Sequence, residues 1–140
     1  MPTVLTVSST VNAPIELAWQ AFTQPEHITQ WNFASDTWEC PTASNDLSVG
    51  GAFSYRMQAK GGSMGFDFAG TYSKVVPLEQ IDYTIGDRTV SVTFEKLFSE
   101  KTKITQAFEA ENENSLELQQ NGWQAILENF KKHVDSLGTV

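Results

Sequence analysis

The period of the apolar positions changes along the chain, and each change marks an element. Thr3 to Thr10 is rich in Val and Thr and alternates, which predicts a strand. Asn12-Ala13-Pro14 then opens a helix, with Asn12 as candidate cap and Pro14 in the first turn. Ile15, Ala18, Trp19 and Phe22 follow at helical spacing. Thr23-Gln24-Pro25-Glu26 has the form of a capping box and predicts a second short helix toward Trp31. Cys40 to Asp46 reads as a short loop. From Gly51 the period becomes two. Phe53, Tyr55 and Met57 alternate with polar residues, and Phe66, Phe68, Gly70 and Tyr72 do the same after a Lys60-Gly61-Gly62-Ser63 turn. Pro77 ends that strand. Further strands carry Ile81, Tyr83 and Ile85, then Val90, Val92 and Phe94, then Ile104, Gln106 and Phe108, with a turn at Gly86-Asp87. The last pattern is helical: Leu116, Trp123, Ile126, Leu127, Phe130, Val134 and Leu137 share one stripe, bounded by Asn114 or Ser115 and by Gly138.

Consecutive strands with period-two alternation predict an antiparallel sheet with one covered face. The final helix is the only element long enough to cover it. A twisted sheet curls, and a helix about 10 Å wide does not fill the hollow of a broad curled sheet. A cavity between the two is therefore expected, with close packing as the alternative. Its candidate lining is Phe53, Tyr55, Phe66, Phe68, Tyr83 and Phe94 from the sheet, and Trp123 and Phe130 from the helix. Met57 and Met64 add adaptable walls. The hydroxyls of Tyr55 and Tyr83 need partners if buried. Trp31, Asn32, Phe33 and Trp38 form a second group, expected at the mouth of the cavity or as a plug in that end of the core. Gly122 lies inside the long helix at a cost in helix propensity, which fits close backbone approach, room for a ligand, or tight helix–sheet packing.

The chain has 140 residues, of which 40% are hydrophobic, enough for one domain spanning 1–140. It carries 9 Lys and Arg against 17 Asp and Glu, a net charge of −8. No Lys or Arg precedes Arg56. This balance disfavours phosphate backbones and anionic membrane surfaces. No apolar run exceeds three residues, so membrane insertion is not expected, and the N-terminus does not read as a secretory signal. Cys40 is the only cysteine, which leaves no disulfide framework and predicts a reduced, cytoplasmic setting. No metal or cofactor is expected. His27 and His133 stand at no metal-ligand spacing and read as solvated surface histidines. Cys40 reads as a small buried hydrophobe or a plain loop thiol. Asp36, Glu39 and Asp46 read as exposed acids, although burial of Glu39 against Trp38 would make it an acid–base candidate. Arg56 and Asp67 fall on neighbouring strands and are expected to pair. Gly50-Gly51 lacks the ending of a phosphate loop.

Taken together, the ordered segments Asn12–Trp19, Pro25–Trp31, Asp46–Phe53, Gly65–Tyr72 and Asn121–Leu127 resemble a known superfamily. They are similar to the START-related, or SRPBCC, proteins of the helix-grip fold. Within it they resemble the family named for the C-terminal domain of the heat-shock-chaperone ATPase activators. The resemblance implies an α+β fold of START/Bet-v-like type: a curved antiparallel sheet wrapped around a long C-terminal helix, with two short helices after the first strand. It also implies a hydrophobic cavity, which the superfamily uses for lipids, sterols and polyketides, some members being aromatases or cyclases. The resemblance supplies no catalytic set. Where the family pattern often has a histidine after the tryptophan at Trp38, this chain has Glu39.

The leading expectation is a non-catalytic module that binds a small apolar or aromatic molecule through Trp31, Phe33, Trp38, Phe53, Tyr55, Met57, Phe66, Phe68, Tyr83, Phe94, Trp123 and Phe130. One rival is an aromatase-, cyclase- or hydrolase-like enzyme using Glu39, Tyr55 and Tyr83. Another is a partner-binding domain that modulates a chaperone ATPase through its outer surface. Exposed sheet edges leave a homodimer open.

Overall fold

In the computed structural model, residues 3–138 are described. In chain order they form β1 (Val4–Val11), α1 (Ile15–Thr23), α2 (Pro25–Ile28), β2 (Trp38–Glu39), β3 (Ala43–Asn45), β4 (Ala52–Ala59), β5 (Gly65–Val76), β6 (Gln80–Ile85), β7 (Arg88–Phe98), β8 (Lys101–Glu109) and α3 (Leu116–Gly138). The strands make one antiparallel sheet in the order β1-β8-β7-β6-β5-β4-β2, with β3 also paired to β4. The period-two pattern becomes one covered face. Val90, Val92 and Phe94 of β7 and Thr102, Ile104, Gln106 and Phe108 of β8 are buried at alternate positions. Leu127, Phe130 and Val134 of α3 and Ala18 and Ala21 of α1 complete this core. The architecture is an α+β helix-grip: a curled antiparallel sheet with the C-terminal helix against its concave side.

The helix also seals one edge of the sheet. Gln120 and Gln124, one turn apart, donate from Nε2 to the carbonyls of Thr6 and Ser8 at 3.2 and 3.0 Å. An outer strand's unpaired carbonyls are thereby covered, which removes a template for strand addition. At the opposite side the outermost strands are two short pieces, β2 and β3, of two and three residues.

Several local expectations change, while others hold. Asn12 does not cap α1; Pro14 occupies that position without a side-chain cap, and the Asn12 N–H donates to Asp135 Oδ1 at 2.8 Å. No capping box opens α2, because the Thr23 hydroxyl donates backward to the Trp19 carbonyl at 2.7 Å. The stretch from Cys40 to Asp46 is not all loop but contains β3, a strand too short to show a period. Ser115 is the cap of α3, its Oγ accepting from the Leu118 N–H at 3.1 Å. The ends of the α3 stripe, Leu116 and Leu137, are exposed. His27 and His133 are not independent surface groups: Nδ1 of one and Nε2 of the other lie 2.9 Å apart, joining α2 to α3. Arg56 and Asp67 are cross-strand partners and pair at 3.5 Å, in a position exposed enough to matter little for stability. Among the described residues no helix is long and apolar enough to cross a membrane.

Candidate functional site

A cavity of about 180 Å³ lies between α3 and the concave face of the sheet. Each wall has a sequence origin. Phe53, Tyr55 and Met57 come from the inward positions of β4. Phe66, Phe68 and Tyr72 come from β5, and Ile81 and Tyr83 from β6. Gln106 comes from β8, and Trp123 and Ile126 from the apolar stripe of α3. Phe22 and Thr23 at the end of α1, with Trp31 and Asn32, close the remaining side. Phe66 is 48% exposed although it lines the cavity, so it stands at the mouth.

The rings lock one another. Phe53 is the centre of one cluster, with Tyr83 at 5.0 Å, Tyr55 at 5.1 Å, Tyr72 at 5.2 Å and Phe68 at 6.0 Å between ring centroids. This cluster fits because Gly70 is the cross-strand partner of Phe53 and has no side chain to displace the ring. On the helix side Trp123 stacks flat on Phe108 at 4.0 Å. Trp31 donates from its indole N–H to the Ala21 carbonyl at 2.9 Å and packs on Phe22 and Phe130. Walls fixed in this way keep an apolar space open without collapse.

Polar groups are few and mostly satisfied. Asn45 Nδ2 donates to the Thr23 carbonyl at 2.7 Å and to the Tyr72 hydroxyl at 3.2 Å, and the Tyr72 and Tyr55 hydroxyls are 3.4 Å apart. Burial, together with the neighbouring tyrosines, pushes the Tyr55 hydroxyl far up from its ordinary titration range. Burial does the same to Tyr83. Both therefore stay protonated and neutral. Among the described residues the lining contains no Asp, Glu, His, Lys or Arg.

Trp31, Phe53, Tyr55, Met57, Phe66, Phe68, Tyr83 and Trp123 are brought together around this cavity. Four other expected residues stand outside its lining. Phe94 and Phe130 are buried behind Phe22, at 5.5 and 5.4 Å. Trp38 packs on Phe66 at 6.2 Å, on the far side of the mouth. Phe33 packs against the core, and its carbonyl accepts from Asn129. Met64 is exposed and forms no wall. Glu39 is not in the lining either; its carboxylate accepts from Gln58 Nε2 at 2.9 Å. Cys40 is buried beside Asn32, and burial pushes its thiol up. Sequence reasoning left Phe22, Thr23, Tyr72, Ile81, Gln106 and Ile126 out of the site. Tyr72, Ile81 and Gln106 stood at inward strand positions, and Phe22 and Ile126 on helical stripes, so period alone pointed to them. Gln106 carried an additional signal, a polar residue at an inward position of an apolar strand.

Residues 12–135 match the family model described as Activator of Hsp90 ATPase homolog 1-like protein. The fold is similar to the solution structure of the AHSA1-like protein from Aeromonas hydrophila, with 36% identity, a TM-score of 0.90 and coverage of 97% of this chain and 94% of that one. It is also similar to a protein from Cytophaga hutchinsonii at 46% identity and a TM-score of 0.79, covering 94% and 92% of the two chains. A protein from Chromobacterium violaceum is similar at 25% identity and a TM-score of 0.84, covering 96% and 99%. No curated protein matches the chain.

Proposed function

The chain belongs to the Activator of Hsp90 ATPase homolog 1-like family, and from that premise we propose that it binds a small hydrophobic or aromatic molecule in the cavity beneath α3. The observation that carries this reading is a cavity of about 180 Å³ walled almost wholly by aromatic and aliphatic side chains and free of charged ones. Such a space gains from desolvation at about 25 cal/mol per Å² of apolar surface buried. It has little with which to move protons. Tyr55 and Tyr83 are held neutral by burial, and Glu39 is engaged with Gln58 outside the lining. That favours holding a ligand over turning it over.

Size narrows the ligand. An engineered apolar cavity of about 150 Å³ takes benzene, so this one suits a single ring with small substituents better than a whole lipid chain. Native mass spectrometry and a thermal-shift screen running from monocyclic aromatics to fatty acids test the reading. A ligand at a hundred times its Kd adds about 2.7 kcal/mol, or roughly 10 °C in Tm for a chain of this size. Shifts for single-ring compounds are the expected result. If no apolar compound raises Tm or survives as a complex in the spectrometer, the reading is wrong.

A further inference from the structure

One row of the sheet beneath α3 is apolar with a single exception. Val7, Gln106, Val92 and Ile81 are in register across β1, β8, β7 and β6. All are buried, Gln106 at 7% exposure among valines and isoleucine at 0–3%. Other buried polar side chains have clear employment: Thr102 donates to the Ala13 carbonyl, and Gln119 bonds to the backbone around Glu111 and Asn114. Gln106 does not. Among the described residues its side-chain amide has no hydrogen-bond partner, and it lines the cavity. The hydroxyl of Tyr83, 7% exposed and on the same lining, has no partner either. The amide is not sealed into the core but opens onto the cavity space, and packing alone would be served as well by leucine or methionine, so something other than packing accounts for it.

Resting on the binding reading above, we propose that the Gln106 amide is the polar anchor of the cavity, selecting a neutral single-ring molecule that carries a phenolic hydroxyl or a carboxamide. A glutamine side chain presents a donor and an acceptor side by side. Its best complement is a group that also both donates and accepts. The absence of any cationic residue from the lining leaves a carboxylate without a counter-charge, and the absence of any acid does the same to an ammonium group. Tyr83, two strands away on β6, offers a second hydroxyl to the same ligand. A site built to hydrogen-bond a polar group rejects the analogue lacking it, because its own buried groups are then left unpaired.

Titration calorimetry or ligand-observed NMR with p-cresol, benzamide, toluene and benzoate tests this on the wild type, Gln106→Leu and Tyr83→Phe. The wild type is expected to bind p-cresol or benzamide at least tenfold more tightly than toluene, and benzoate not at all. Gln106→Leu is expected to abolish that preference, keep toluene binding, and raise Tm by roughly 2–5 °C. Tyr83→Phe is expected to weaken p-cresol about two- to fivefold. If Gln106→Leu does not fold, Gln106→Met makes the same comparison. Equal binding of toluene and p-cresol to the wild type, survival of the preference in Gln106→Leu, or preferred binding of benzoate overturns the anchor while leaving the cavity reading intact. Failure of all four probes, toluene included, overturns the anchor, and overturns the cavity reading as well only if the wider screen from monocyclic aromatics to fatty acids also finds no binder.

Discussion

A Cβ added at Gly122 would meet nothing within 4 Å, so neither close approach nor tight packing explains this glycine, and it does not line the cavity. It is simply a weak residue in a helix. Gly122→Ala should stabilise the protein by about 0.5–1 kcal/mol in urea denaturation and leave ligand affinity unchanged. Gly70 is the opposite case. A Cβ there would lie 2.2 Å from the Thr84 carbonyl and 2.8 Å from the Phe53 ring. The backbone contact has no flexible end to yield, so Gly70→Ala should cost about 1–3 kcal/mol. It should also disturb the ring cluster, visible as shifted Phe53 and Tyr83 resonances. The sequence could not separate these two glycines. Both interrupt a regular element, and only spatial neighbours distinguish a gap from a contact.

The elements that were legible are those whose period runs for several turns or pleats: the hairpins from β4 to β8, and α3. The illegible ones are short or set by partners far along the chain. β2 and β3 hold two and three residues and pair with β4 only because the chain folds back there. The glutamines of α3 read as plain helix surface, yet two of them bond the free edge of β1. Replacing both Gln120 and Gln124 by alanine should lower stability by about 1–2 kcal/mol and increase self-association, measured by analytical ultracentrifugation. Stability loss with no change in association would show that the helix, not these two bonds, protects the edge. The histidine pair was equally hidden, its members being 106 residues apart. Burial first, and His27 second, lowers the pKa of His133. The folded state therefore favours neutral His133, and stability rises with pH. This contribution is complete above the unfolded value of 6.5 and is lost as pH falls through the lowered folded value. Tm measured from pH 7.5 to pH 5 should fall less steeply in His133→Phe than in the wild type; parallel profiles would remove the pair from the pH response.

At the scale of the whole molecule, the chain's alternating and helical patterns dictated a curled sheet and one covering helix, and a hollow follows from their sizes. How much of that hollow side chains fill was beyond reach of the pattern, because filling depends on which rings lean on which. Phe94 and Phe130 were as plausible as Phe53 and Tyr83, yet they pack with Phe22 and Trp31 into the solid part of the core. A large side chain placed into the hollow distinguishes real space from a close-packed interior. Ile126 lines the cavity from α3, and isoleucine and tryptophan have similar helix propensity, so Ile126→Trp changes the volume inside with little effect on the helix. In a solid core such overpacking costs about 1–3 kcal/mol. In a cavity of about 180 Å³ the added ring finds room, and stability should hold or rise by up to about 2 kcal/mol. The same ring should compete with any ligand, weakening single-ring compounds at least tenfold. A fall in Tm of the overpacking size, with ligand affinity unchanged, would mean that the space beneath α3 is not where this protein does its work.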